Sequence, residues 1–317
     1  MSGKILVMII LERISEKLDD YMSEEQAGFR RGRSWCDQIF VLRNIIEQSV
    51  EWRRQLIVNF IDFKKSFDSI HRPSMWKILR SYGLPSKILN IIKLLYDGST
   101  SCVRVGGTIT SFDITSGAKK GDVLSPVLFN MVVDWITKRI FDEEDSIVQV
   151  WESRLSDLAY ADDIALLSED ADVMNIMTEK LAREAGSIGL EINLRKSKIM
   201  TVQNSEDVRV ELGEDIIGEV DSFEYLGSVV YKDEDVRKEV GIRIGKAGSI
   251  FSKMKKIWNS RGISLNTKIK LFNGMVIPIL MHGSETWKGL KYVENRLRVF
   301  QRKIINIRWY EHVTERT

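Results

Sequence analysis

The stretch Leu155-Ser-Asp-Leu-Ala-Tyr-Ala-Asp-Asp-Ile-Ala-Leu-Leu-Ser168 sets two adjacent carboxylates between two apolar runs. The pattern reads as a β-hairpin with Ala161, Asp162 and Asp163 at its tip. Neighbouring carboxylates in apolar surroundings repel each other, and both resist desolvation. A divalent cation removes that cost, and hard Mg²⁺ prefers carboxylate oxygens. A solvated turn would also place two aspartates here, since Asp is a common turn residue. The neighbours of the hairpin decide between the two.

About a hundred residues upstream, Leu56-Ile-Val-Asn-Phe-Ile-Asp-Phe63 is apolar at nearly every position. Such a run is the signature of a strand buried on both faces. Asp62 stands at its end, where a buried strand reaches the lip of its sheet. Paired antiparallel, strand and hairpin bring three carboxylates together, a set able to clamp two Mg²⁺ ions for in-line displacement at phosphorus. Between them, Ser116 to Pro126 forms a loop in which Gly117 and Gly121 let the backbone press against a flat ligand.

The remaining segments fit an α+β chain. Residues 3–21 read as an amphipathic helix, followed by the basic turn Gln26 to Arg33, whose Arg30, Arg31 and Arg33 suit a triphosphate or an exposed charged turn equally. Ser34-Trp-Cys-Asp37 resembles a capping box that starts the next helix. Further helices are predicted after Pro73, over 86–96, over 127–141 and over 173–188. Hairpins are expected over 101–115 and 222–230, and a turn and strand over 189–198. From Glu234 the period becomes helical: Val236 to Trp258 marks one long helix. Leu271, Met275 and Ile279 mark a second, and Val293, Leu297, Phe300, Ile304 and Ile307 a third. The boundary is expected near 232, giving domains 1–231 and 232–317.

Hydrophobic content of 44% and charged content of 29% are those of an ordinary globular protein, and four prolines with no low-complexity tract argue against a long disordered linker. The apolar run Ile5–Leu11 is too short to span a membrane. Cys36 and Cys102 imply neither a disulfide framework nor a Cys-type zinc site, so no disulfide-linked partner and a reducing intracellular compartment are expected. The net charge of +2 conceals an uneven distribution. Residues 141–240 carry 10 basic against 26 acidic side chains, and residues 241–317 carry 16 against 4. The basic end suits phosphate contacts or a solvated helical surface.

Taken in order, AGFRRGRS (27–34), FIDFKKSFDSI (60–70), SGAKKGDVLSP (116–126), YADDIALL (160–167), GLEINLRKSK (189–198) and FEYLGSVV (223–230) resemble the motifs of reverse transcriptases. They closely resemble those of the endonuclease-type non-LTR (LINE-like) retrotransposon group, and PILMHGSETW (278–287) also resembles that group's post-palm region. The resemblance implies a right-hand polymerase fold with an antiparallel-sheet palm, partial fingers and a helical thumb. It implies an RNA-directed DNA polymerase using two Mg²⁺ ions, or Mn²⁺, with an RNA template, a DNA primer and deoxynucleoside triphosphates as partners, in the nucleus or cytoplasm.

By the same resemblance, Asp62, Asp162 and Asp163 are expected as metal ligands, with the Phe63 carbonyl assisting, and Lys196 as a general acid, Lys198 second. Arg30 is expected at the triphosphate, Phe67 under the sugar, Lys120 and Gly121 at the incoming nucleotide, and 223–230 at the primer. Lys120 stands where the family usually has Gln, and Asp122 where a small or apolar residue is usual. The chain is expected to be a fragment of a longer polyprotein or a decayed copy. The alternative to a polymerase is thus an inactive remnant that only binds nucleic acid.

Overall fold

The computed structural model describes residues 2–119, 121–140, 148–150, 153–203 and 208–305. The chain divides into two compact units, residues 1–226 and 227–317. The first opens with helices α1 (Ser2–Asp19) and α2 (Trp35–Trp52). The capping box holds: Ser34 Oγ accepts from the Cys36 amide at 3.1 Å, and Asp37 accepts from the Ser34 amide at 2.9 Å.

Next come β1 (Leu56–Ile61), the short α3 (Ser66–Ser69), α4 (Arg72–Ser81) and α5 (Ser86–Tyr96). β2 (Thr100–Val105) and β3 (Thr108–Asp113) pair as an exposed hairpin around Gly106-Gly107. After the buried α6 (Ser125–Ile140) follow β4 (Val148–Val150), β5 (Ser153–Leu155), β6 (Asp157–Tyr160), β7 (Asp163–Ser168) and α7 (Ala171–Gly186). β8 (Lys198–Val202), the short β9 (Glu211–Leu212) and β10 (Asp215–Ile216), and β11 (Ser222–Tyr225) complete the unit.

Four strands form one sheet in the order β6-β7-β1-β8, each pair antiparallel. β1 lies inside it and is buried at all six positions, as its unbroken apolar run requires. Alternate residues serve opposite faces. Ile57 and Ile61 join the core of Met75, Leu89, Phe129 and Leu181, and Asn59 donates to Thr178 Oγ1 on α7 at 2.9 Å. Phe60 stacks on Phe223 of β11 on the other face, with ring centroids 4.2 Å apart.

The strand expected over 189–198 begins only at Lys198. Before it the chain turns sharply, with the Lys196 and Ser197 amides both donating to the Asn193 carbonyl. Local turn bonds win over pairing there, although Ile192 still bridges to Phe63.

The second unit contains β12 (Ser228–Tyr231), α8 (Val236–Lys253), α9 (Lys255–Trp258), α10 (Leu265–Met275), α11 (Ile277–Leu280) and α12 (Lys291–Ile305). Two expected helices are each broken in two. The first breaks at Met254. The second breaks at Val276, two residues before Pro278, which lacks the amide a continuous helix needs. Ile307 lies outside the described residues. Phe251, Trp258, Val276 and Leu280 pack together with Ala247 as the core. Glu239 and Arg243 form a buried ion pair at 3.0 Å, and Ser228 Oγ donates to Glu239 at 2.8 Å. Among the described residues no helix is long and apolar enough to cross a membrane.

Candidate active site

Strand register assembles the carboxylates. Ile61 pairs with Ile164, so one further step sets Asp62 opposite Asp163. Tyr160 pairs with Asp163, which makes Ala161 and Asp162 the whole of the β6–β7 turn. All three aspartates therefore lie at one end of the sheet. A cavity of about 300 Å³ opens beside them, lined by Asp62, Asp163, Lys196, Phe60, Phe223 and Tyr225 among others.

Burial pushes the Asp163 carboxyl up to about 6, helped by the negative charges of Asp162 and Asp62 and opposed by Lys196. Asp62 is met by Lys196 Nζ at 3.4 Å and by Asn193 Nδ2 at 3.1 Å. Its backbone is pinned as well, its amide donating to Ser197 Oγ at 3.1 Å and its carbonyl accepting from the Asn193 amide at 2.7 Å. Asp162 accepts from Ser66 Oγ at 2.7 Å.

Among the described residues, no group of three or more His, Cys, Asp or Glu is already arranged to hold a metal ion. Asp62 is engaged by Lys196 and Asn193, and Asp162 by Ser66. The donor chemistry nonetheless fits a hard divalent cation. Three aspartates stand at one end of the sheet, one of them buried among like charges that a cation would offset.

The other expected residues fall in different places. The Phe63 side chain is buried in the core, and its backbone is held against 191–193 by the Lys64 amide donating to the Glu191 carbonyl at 2.8 Å. Phe67 is half-buried and stacks on Phe129 of α6, centroids 4.3 Å apart, while its carbonyl accepts from the Ala118 amide at 2.7 Å. That bond ties the Gly117 loop to the segment just past β1.

Gly121 has open space where a Cβ would stand, whereas a Cβ on Gly117 would lie 2.6 Å from the Asp68 carbonyl oxygen. The close backbone approach is thus made by Gly117, and to the protein itself rather than to a ligand. Lys120 lies outside the described residues.

Arg30 departs from expectation most clearly. Its side chain is 5% exposed, with Nε at 2.6 Å from Asp19 Oδ1 and Nη1 donating to the Ser23 and Gln26 carbonyls. The guanidinium is committed inside the protein, where it fixes the turn after α1.

Sequence reasoning passed over Ser66 and Asn193, the partners of the carboxylates, and Arg72. The Arg72 guanidinium is buried and donates to the carbonyls of Gly117 at 3.0 Å and Ile114 at 2.7 Å, over the Tyr96 ring. Burial lowers its affinity for its proton. No local pattern marks such a residue, because its acceptors lie 24 to 45 positions away.

The family model for Reverse transcriptase (RNA-dependent DNA polymerase) matches residues 1–230, and a domain of unknown function matches residues 250–281. The Pol polyprotein of the type-2 retrotransposable element R2DM of Drosophila melanogaster is 25% identical over 300 residues, 89% of this chain and 27% of that protein. The Pol polyprotein of the type-1 element R2 of Popillia japonica is 24% identical over 96% of this chain and 44% of its own length. The chain thus spans less than half of these relatives.

Among solved structures, telomerase from Candida albicans in complex with a TWJ fragment of telomeric RNA aligns over 97% of this chain and 56% of its own, with a TM-score of 0.58 at 12% identity. Apo telomerase from Candida tropicalis aligns over 98% and 60%, with a TM-score of 0.52 at 11% identity. At these identities the likeness speaks for the fold, which is α+β of the right-hand polymerase type. With the family model covering well over half its length, the chain belongs to the reverse transcriptase family, of the kind carried by non-LTR retrotransposons.

Proposed function

We propose that this chain is an RNA-directed DNA polymerase domain that extends a DNA primer on an RNA template, with the fingers and palm within residues 1–231 and the thumb from 232. The observation that carries the reading is the register that sets Asp62 opposite Asp163, beside Asp162 in the turn, in a chain of this family. Two divalent cations, Mg²⁺ foremost, held by Asp62, Asp162 and Asp163 with the Phe63 carbonyl, would supply Lewis acidity at the primer 3′-hydroxyl and charge neutralisation at the phosphates.

The chain's own residues do the rest. Asp163, at about 6, is mostly ionised at neutral pH and ready to act as a ligand. Lys196 and Asn193 hold Asp62 in place, and Ser66 holds Asp162. With Asp62 engaged by a cation, the exposed Lys196 ammonium would be available to offer a proton to departing pyrophosphate. The half-buried Phe67 ring, backed by Phe129, would exclude a ribose 2′-hydroxyl. Lys120 and Gly121 belong to the loop expected at the incoming nucleotide. Arg30 is left out of the substrate contacts, since its donors are already engaged within the protein.

The test is extension of a DNA primer on an RNA template with Mg²⁺, beside the Asp162→Asn variant. Extension by the parent and a loss of about a thousand-fold or more in the variant is the expected result. A parent that binds the duplex without extending it would instead favour the inactive, nucleic-acid-binding remnant. The partnering of Asp62 and Asp162 within the protein is the observation on that side.

A further inference from the structure

The two-residue turn that carries Asp162 is strained. Ala161 has φ of +58°, a left-handed conformation that glycine adopts freely and alanine does not. Such a backbone persists only where its surroundings hold it. Here the surroundings are residues 25–28, more than 130 positions away in sequence.

That segment runs along the outer edge of β6. Gln26 bridges to Ala159; the Ala159 amide donates to the Glu25 carbonyl at 3.2 Å, and the Ala27 amide donates to the Ala159 carbonyl at 2.9 Å. From this edge the Gln26 side chain, 1% exposed, reaches the turn. Its Oε1 accepts from the Ala161 amide at 3.0 Å and from the Gly28 amide at 3.0 Å.

Two backbone donors dictate which end of the side-chain amide is the oxygen. Nε2 is then left buried with no acceptor among the described residues. A polar side chain that leaves one end unmet in the interior is not there to fill space.

Gly28 presses on the same turn. A Cβ at that position would lie 2.4 Å from the Ala161 nitrogen, so only glycine lets the chain pass. Its carbonyl is fixed in turn by the Asn130 side chain on α6.

We propose that Gln26 is a positioning residue: its Oε1 holds the Ala161 amide, and through it the placement of Asp162 and Asp163 at the lip of the sheet. It touches neither carboxylate and no reacting atom, so its influence passes through the turn. The clamp rests on the geometry alone; its consequence for catalysis rests on the polymerase reading.

The test compares Gln26→Met, which keeps length and volume but removes the acceptor, with Gln26→Glu, which keeps the acceptor. Two readouts are taken: amide hydrogen exchange at Ala161 in the cation-free protein, and kcat and KM in primer extension. In Gln26→Met, exchange at Ala161 should rise on the order of ten-fold or more while β1 amides stay as they were. The kcat should fall on the order of ten- to a hundred-fold, with KM for the deoxynucleotide within about two-fold. Gln26→Glu should keep the Ala161 amide slow.

Unchanged exchange at Ala161, a rise shared equally by β1, the same rise in Gln26→Glu, or an unchanged kcat in Gln26→Met would each overturn the proposal. If Gln26→Met does not fold, Gln26→Asn, which withdraws the acceptor by one methylene, must give the same exchange signature. A parent that fails to extend primers would refute the polymerase reading, and the exchange experiment would still decide the clamp.

Discussion

Asp157, at the start of β6, offers a sharp test of the electrostatics around the hairpin. It is 4% exposed, and its partner is Ser156 Oγ at 3.3 Å. Burial pushes its carboxyl up to about 7, and the negative charges of Glu25 and Asp134 add to the effect. Well below 3.8 the group is neutral in both folded and unfolded chains. Above about 7 the folded protein must bury a charge that the unfolded chain exposes to water. The folded state therefore holds the proton more tightly, and the associated stability is complete below 3.8 and lost as pH rises through about 7. A displacement of that size corresponds to roughly 4 kcal/mol at pH 8, on the order of a third of a typical domain's stability.

Asp157→Asn keeps the shape and removes the titration. Urea denaturation of parent and variant in cation-free buffer between pH 4 and 8.5 measures the difference, and the titration of Asp163 cancels because both proteins share it. At pH 4 the variant should be level with the parent or about 1 kcal/mol less stable, since the Asn amide brings donors into the interior. By pH 8 it should be more stable by several kcal/mol, about 2–4. Parallel profiles across the range would refute the reasoning, because they would mean that Asp157 does not titrate between these limits in the folded protein.

Two further outcomes concern the Gly117 loop and the Phe67 segment to which it is bonded. Gly117→Ala places a Cβ against three backbone atoms of Asp68, at 2.6–2.8 Å, with φ of +75°. A loss of about 2–4 kcal/mol in denaturant unfolding is expected, and a loss under about 0.5 would show that the loop yields freely. Phe67→Val should raise incorporation of ribonucleotides relative to deoxynucleotides by about ten-fold or more in single-nucleotide extension. An unchanged ratio would remove Phe67 from the sugar.

The legible parts of this fold were those written in local pattern. The unbroken apolar run of β1, the alternation across Ala161-Asp162-Asp163 and the Ser34 capping box each carry their meaning within a few residues. Residues whose role depends on distant partners were not legible. Arg30 looks like a free cation in a basic turn until Asp19 folds back on it. Gln26 looks like the start of a loop until Ala161 arrives from far along the chain. Gly117 and Gly121 are alike in sequence, and only the Asp68 backbone distinguishes them. The helix break at Met254 falls inside continuous apolar periodicity, whereas the one at Val276 has a local sign in Pro278, two residues on.

The register of β1 against β7 also governs how such a chain can drift in length. Side chains alternate between faces, so inserting or deleting one residue within β1 would send Ile57, Asn59 and Ile61 to the wrong side and carry Asp62 off the lip. The same holds for the two residues between β6 and β7. The exposed β2–β3 hairpin bears no such restriction. Length variation among related copies should therefore collect in and around that hairpin, while the strands that present the aspartates keep their count.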